Sequence, residues 1–310
     1  MTNPRYPVYI ISKGRADSRH TQRSLEEIGV PYHIVIEESE FDDYAAKVDP
    51  KKILTLPPGF RENPDYAIPD ISGLTGGSIP ARNFVWEHSM KTGHAKHWIL
   101  DDNIRYFYRV NRNQRNRLTT GIGFRLIEDF SERFKNVPLA GMNYFGFMPK
   151  YKKAPPYYLN TRIYSCILID NSLPHRWRGK YNEDTDLSLR VLKDGGCTLL
   201  FNAFICGKAA THSMKGGNTE LVYSVDNQEE FDNRMEFAES LRRQHPDVVT
   251  VTQKWGRNHH HIDYRKHFKQ KLQYRDDYVV KKGINEHGMK LVTLTPAELE
   301  AEKQMQKRFE

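Results

Sequence analysis

The sequence predicts an α/β protein: an open, mainly parallel twisted sheet with helices on both faces, plus a basic C-terminal extension of helix and strand. Three observations lead there. Short runs rich in β-branched and aromatic residues alternate with helix-like segments over residues 1–218, the pattern of an open α/β sheet. The first units read strand, helix, strand, which normally makes parallel strands with a right-handed crossover. Beyond residue 219 that alternation stops and basic residues accumulate. The expected division is therefore an α/β core over residues 1–219 and a C-terminal extension over residues 220–310.

The elements follow in order. "YPVYIIS" (6–12) is a strand, "KGRADS" a loop, and "HTQRSLEEIG" a helix closed by Gly29, a fitting C′ residue. "PYHIVIEE" is the next strand, "FDDYAAKVD" a short helix and "KILTLP" a third strand. The Pro- and Gly-dense residues 57–80 form a long loop, a feature that is usually functional or mobile. "IPARNFVWEHSMKTG" is a helix, "HAKHWILDD" a strand, "RLIEDFSERFKNV" a helix and "RIYSCILID" a strong strand. "NEDTDLSLRVLKDGG" is a helix with Asn182 as N-cap, followed by the strand "CTLLFNAFICGK". Past the core, an amphipathic helix carries Phe231, Met235, Phe237 and Leu241 as its apolar stripe. "DVVTVTQKW" is a strand, and the tail opens "LTPAE", a capping-box start with Pro at N1.

No run approaches the ~20 apolar residues of a membrane-spanning helix, and the N-terminus lacks the pattern of a signal peptide. No membrane partner is expected. Cys166, Cys197 and Cys206 are odd in number and share no CxxC spacing, so they read as buried free thiols in a reducing compartment. The net charge of +8 is unevenly placed. From Lys254 to Lys282 nine Lys or Arg face three Asp, and Arg105, Arg109, Arg112, Arg115 and Arg117 fall in a stretch without acids. Both stretches are interleaved with aromatics, which suits phosphate contact with base stacking; a solvated basic face is the alternative.

In open α/β sheets ligands bind beyond the carboxyl ends of strands. Two candidate motifs sit there. "SKGR" (12–15) suits a diphosphate or is an ordinary polar loop, and Asp101-Asp102-Asn103 is an Asx-type turn or a seat for a hard cation. Arg82, early in its helix, could neutralise phosphate. Glu183 and Asp184 stand at a helix N-terminus, where ionised acids are favoured and a carboxylate could take a proton from an attacking hydroxyl. His212 could serve as a neutral imidazole ligand, with Lys215 and nearby glycine amides covering phosphates. Three consecutive histidines in "NHHHID" are packing residues, acceptor contacts or a second metal site.

The order of these motifs resembles that of a nucleotide-sugar glycosyltransferase of the GT-A fold. The wording "VYIISKGR", "IPARNFVWEH", "WILDDNI", "NEDTDLSLR", "THSMKGGNT" and "KWGRNHHHIDY" is similar to the TET-associated glycosyltransferases of bacteriophages, over roughly residues 5–285. The resemblance implies transfer of a sugar from a UDP-sugar to 5-hydroxymethylcytosine in phage DNA, in the cytoplasm of the infected host. It implies that Ser12, Lys13, Gly14, Arg15, Arg82, Asp101, Asp102 and Lys215 bind the donor. Asp101, Asn103 and His212 would hold Mn²⁺ or Mg²⁺, with an amide in the last position of the usual acidic triplet. Asp184 would be the acceptor-side base if the reaction inverts, with Glu183 as runner-up. Arg105, Tyr106, Tyr108, Arg112, Trp255, Arg257, His259, His260, Arg265 and Lys266 would meet hydroxymethylated DNA, with Phe107 a further stacking candidate and Trp255 equally suited to the core. A glycan acceptor and a DNA-binding protein with a decayed transferase site are the rival readings. Sugar identity, retention or inversion, DNA sequence context and oligomeric state stay open.

Overall fold

The computed structural model describes residues 2–111, 114–148, 154–208, 234–254, 256–280 and 295–307. The core is a ten-stranded sheet of order β3-β2-β1-β4-β9-β7-β10-β5-β6, with β8 also paired to β10. The strands are β1 Val8–Ile11, β2 His33–Ile36, β3 Ile53–Thr55, β4 Lys96–Asp101, β5 Ile104–Asn111, β6 Gln114–Arg117, β7 Leu139–Tyr144, β8 Tyr157–Leu159, β9 Cys166–Asp170 and β10 Thr198–Lys208. β3, β2, β1 and β4 run parallel, as do β7 and β10. β9 is inserted antiparallel between β4 and β7, and β5 runs antiparallel to both β10 and β6. The expected α/β class, mainly parallel, is the one observed. The β5–β6 hairpin is an addition: its Arg- and Asn-rich strands lack the apolar alternation that marks a half-buried strand.

Successive residues of a strand point to opposite faces. Val8, Ile10, Ile34, Ile36, Trp98 and Leu100 pack on one face with Leu25 of α1 (His20–Glu27) and Phe124 and Ile127 of α4 (Ile122–Ser131). Tyr9, Val35 and Ile99 pack on the other with Val85 and Trp86 of α3 (Ile79–Lys91) and Leu187 and Val191 of α5 (Glu183–Lys193). This is why the strands read as continuous apolar runs: both faces are covered. A short helix, α2 (Phe41–Ala45), buries Tyr44 beside β2 and β3.

Past the core lie α6 (Arg234–Gln244), the hairpin β11 (Val249–Lys254) and β12 (Arg257–Ile262), the short α7 (Tyr264–His267), and α8 (Pro296–Lys307). Leu241, Val248, Val249 and Phe268 pack on Leu189 and Leu192 of α5, forming a third apolar cluster. Asp186 of α5 adds polar anchors, binding His245 at 2.8 Å, Arg178 at 2.9 Å and Arg190 at 2.8 Å. The "NHHHI" run is strand β12. Thr295 and Glu298 form the reciprocal capping box expected of α8. Gly29 closes α1 at φ +66°.

Two local expectations are corrected. Asn182 occupies the N-cap position of α5, but its amide donates to Phe237 O at 2.7 Å rather than capping the helix. On α6, Met235 is exposed and Ala238 and Leu241 face inward; Phe231 lies outside the described residues. All three cysteines are buried and free. Among the described residues no helix is long and apolar enough to cross a membrane.

His97, near the start of β4, is fully buried, with Nδ1 2.6 Å from Asn171 Oδ1. Burial pushes its pKa down to about 4. The folded state therefore keeps the ring neutral while the unfolded chain protonates near 6.5, so stability is complete above pH 6.5 and falls toward pH 4. A shift of this size corresponds to about 3 kcal/mol. Urea unfolding at pH 7 and pH 4.5 should show most of that loss, and His97→Gln should remove the His97 share of the difference.

Candidate active site

The carboxyl ends of β1 and β4 open on a cleft of roughly 330 Å³. Its walls include Ser12, Lys13 and Arg15 after β1, Ser78 and Arg82 at the start of α3, Asp101, Asp102 and Asn103 after β4, and Glu183 and Asp184 at the start of α5. A wider depression of about 1040 Å³ lies among Lys96, Pro138, Asp170 and Gly196. It sits at the starts of β4 and β7, the opposite edge of the sheet, so the smaller cleft is the better candidate.

The acidic turn is clipped from below. Thr21 of α1 donates its hydroxyl to Asp101 O at 2.6 Å and accepts from Ile104 N at 2.8 Å, while Thr21 N donates to Asp102 O at 3.2 Å. The two aspartates then face different partners. Asp101 Oδ1 accepts from Arg82 at 3.1 Å; its Oδ2 accepts from Lys208 at 2.8 Å and Ser165 at 2.5 Å. Asp102 accepts from Ser12 at 2.9 Å and from Arg15. Tyr44 OH lies 2.7 Å from Ser12 Oγ. Arg82 reaches on to Glu183 Oε1 at 3.4 Å and to Ser78 at 3.0 Å, and Ser78 donates to Glu183 at 2.9 Å.

Electrostatics separates these acids. Burial opposes ionisation of Asp101, but Lys208 and Arg82 outweigh it and hold the carboxyl well below the usual range. Burial pushes Asp102 up, and the Asp101 charge adds to this against Arg15. Burial also pushes Glu183 up, with Asp184 adding and Arg82 opposing. Lys208 is moved the other way: burial disfavours its charge, yet Asp101 holds the ammonium pKa above the usual lysine range. Within one cleft Asp101 is held low while Asp102 and Glu183 are pushed up, a common property of functional sites.

Backbone strain concentrates here as well. Ser165 (φ +59°) and Asn182 (φ +54°) both occupy the left-handed region, one beside Asp101 and the other just before Glu183. Such conformations cost free energy and persist where the surroundings over-determine them.

Of the residues expected to bind donor, Ser12, Lys13, Arg15, Arg82, Asp101 and Asp102 come together in the cleft. Gly14 supplies a turn at φ +64° and is not on the wall. Lys215 and His212 lie outside the described residues, as do Arg112 and Trp255. The sequence reading missed Lys208, Ser165 and Tyr144. Each ends or precedes an apolar strand, the same signal that singled out Asp101.

Of the set expected to hold a divalent cation, Asp101 and Asn103 stand at the cleft, and His212 lies outside the described residues. Mg²⁺ at nucleotide sites is held by one or two carboxylates, with phosphate and water oxygens completing its shell. Here Asp101 and Asp102 are each held by cationic and hydroxyl side chains, and Asn103 Oδ1 is buried without a hydrogen bond, a single neutral oxygen. Among the described residues no three His, Cys, Asp or Glu side chains converge as a metal site.

The basic elements lie elsewhere. Arg105 and Tyr106 are exposed on β5, with Arg117 stacked 3.7 Å over the Tyr106 ring. Tyr108 is half-buried against Phe145, while Phe107 turns into the core against Phe124. Arg257, Arg265 and Lys266 are exposed; His259 is half-buried on β12. His260, beside it, is close enough to Arg162 and Asp184 to feel both charges. Burial, reinforced by Arg162, pushes its pKa down to about 4.

No curated protein matches the chain. The family model for the TET-associated glycosyltransferase matches residues 6–217, which includes every wall of the cleft just described. On that match, and on an α/β sheet whose carboxyl edge gathers these groups, the chain belongs to the TET-associated glycosyltransferases and is a transferase enzyme that uses a nucleotide-sugar donor.

Proposed function

We propose that the chain moves a sugar from a UDP-sugar to the hydroxyl of 5-hydroxymethylcytosine in phage DNA, in the host cytoplasm. The observation that carries this reading is the pairing, in one cleft, of a cation-lined donor side with Asp184. In a single displacement, the acceptor oxygen bonds to the anomeric carbon as the bond to the diphosphate oxygen breaks. The electron pair leaves with UDP, and the hydroxyl proton passes to Asp184. Arg15 and Arg82 are placed to stabilise the charge growing on the leaving diphosphate. No step is assigned to a metal.

Residues 220–310 act on the acceptor side in this reading. His260 of β12 brings the region beyond the family match up to Asp184. Tyr264 is half-buried there, and its buried hydroxyl has no hydrogen-bond partner among the described residues. A hydroxymethylcytosine would have to leave the base stack to reach this depth. The exposed cations of the C-terminal region then meet phosphates, which base-flipping transferases hold for register.

Incubation with hydroxymethylated DNA and a panel of sugar nucleotides, followed by digestion and mass spectrometry of the nucleosides, tests the reading. A glycosylated hydroxymethylcytidine is expected. Donor hydrolysis with no DNA product would favour a glycan acceptor instead, and absence of UDP binding would favour a decayed site. Replacing Arg265, Lys266, Lys269 and Lys271 together with Gln should lower the salt slope of DNA binding by about 3–4. Hydrolysis of the donor should survive; its loss would make the segment structural.

A further inference from the structure

The partner of Asp101 raises a question of charge. Lys208 is at the end of β10, and its Nζ lies 2.8 Å from Asp101 Oδ2, 3.0 Å from Ser165 Oγ and 3.5 Å from Tyr144 OH. We propose that Lys208 is the resident cation of the donor site, so that the chain holds the donor's diphosphate with fixed side-chain charge and needs no divalent metal. This rests on the nucleotide-sugar reading above and assigns its counter-charge.

Three observations support it. First, the seat is built. Lys208 is delivered by β10, Tyr144 by β7, Ser165 by the residue before β9, and Asp101 by β4. Tyr144 and Ser165 are hydrogen-bonded to each other, so the three oxygen partners of the ammonium are themselves positioned. Second, the backbone is bent to aim the lysine. The β10–β5 register shifts between Gly207 and Lys208. An irregularity of that kind re-aims a side chain at a strand end. Third, a metal would have to displace a side chain already in place, because Asp101 Oδ1 is bound to Arg82 and Oδ2 to Lys208 and Ser165. The last triplet position is the neutral amide Asn103.

Two measurements on the full chain test the assignment: Mn²⁺ titration followed by electron paramagnetic resonance, and UDP binding by calorimetry with and without EDTA. Wild type is expected to leave Mn²⁺ free up to the order of millimolar, and EDTA should change UDP affinity by less than about twofold. Lys208→Met should weaken UDP binding by about tenfold or more, and by uncovering Asp101 it should gain affinity for Mn²⁺. Lys208→Arg, which keeps the charge, should retain most of the UDP affinity. Tight Mn²⁺ binding by wild type, or UDP affinity falling by more than about tenfold in EDTA, would overturn the proposal whatever the variants do. A wild type that binds UDP under neither condition would sink the donor reading instead, and the Mn²⁺ titration of Lys208→Met would still report on who occupies Asp101.

Discussion

Asp184→Asn lowers the turnover of sugar transfer by about 10³-fold, within the range typical of a removed general base. The amide has the same shape and can still accept from Thr185 N, which donates to Asp184 Oδ1 at 2.7 Å, so the start of α5 should survive. What is lost is the ability to take a proton. The expected signature is a collapse in kcat, little change in KM for the donor and an unchanged melting temperature by circular dichroism. Glu183→Gln is the control. Its oxygen is already engaged by Ser78 and Arg82, and burial favours its protonated form, so its effect on kcat should be the smaller. The reverse ranking would hand the base to Glu183.

Arg82→Met should damage both stability and donor binding. The guanidinium is buried, bridges Asp101 and Glu183, and lies 4.8 Å over the Trp177 ring. Breaking a buried ion pair from one side typically costs 3–5 kcal/mol, and because Lys208 still holds Asp101 the lower end, about 3 kcal/mol, is expected. Urea unfolding at neutral pH measures this, and UDP affinity should fall by about tenfold. The pH dependence has a definite sign. Arg82 helps to depress the folded-state pKa of Asp101, so the stability from that contact is present above the unfolded carboxylate pKa and is lost as the pH falls through the carboxylate range. The gap between wild type and Arg82→Met should therefore be full at pH 7 and narrow below about pH 4. A gap that persists unchanged at low pH would mean that Arg82 acts through packing on Trp177 rather than through charge.

Much of this site was legible one motif at a time. "WILDDNI" ends an apolar run with acids, and the run is a buried strand whose end is the ligand edge of the sheet. "NEDTD" starts a helix, and the helix puts Glu183 and Asp184 into the same cleft. Arg82 was identified by its place near the start of α3. The β5–β6 hairpin was not legible, because its strands are polar and their pairing is set by β10 next to them. The antiparallel insertion of β9 was equally hidden: "CILID" states that a strand exists but not which way it runs.

The sequence by itself determined the alternation of elements, the two-sided burial of the central strands and the acids at their ends. All of these are local, depending on side chains two to four positions apart. Only the tertiary structure decided the company those acids keep. Asp101 meets Lys208 from 107 positions away and Ser165 from 64, while the charge of Asp184 reaches His260 from beyond the family match. A carboxylate carries no mark of whether its counter-charge will be an ion, an arginine or a lysine. That choice is made by which strand ends converge once the chain is folded.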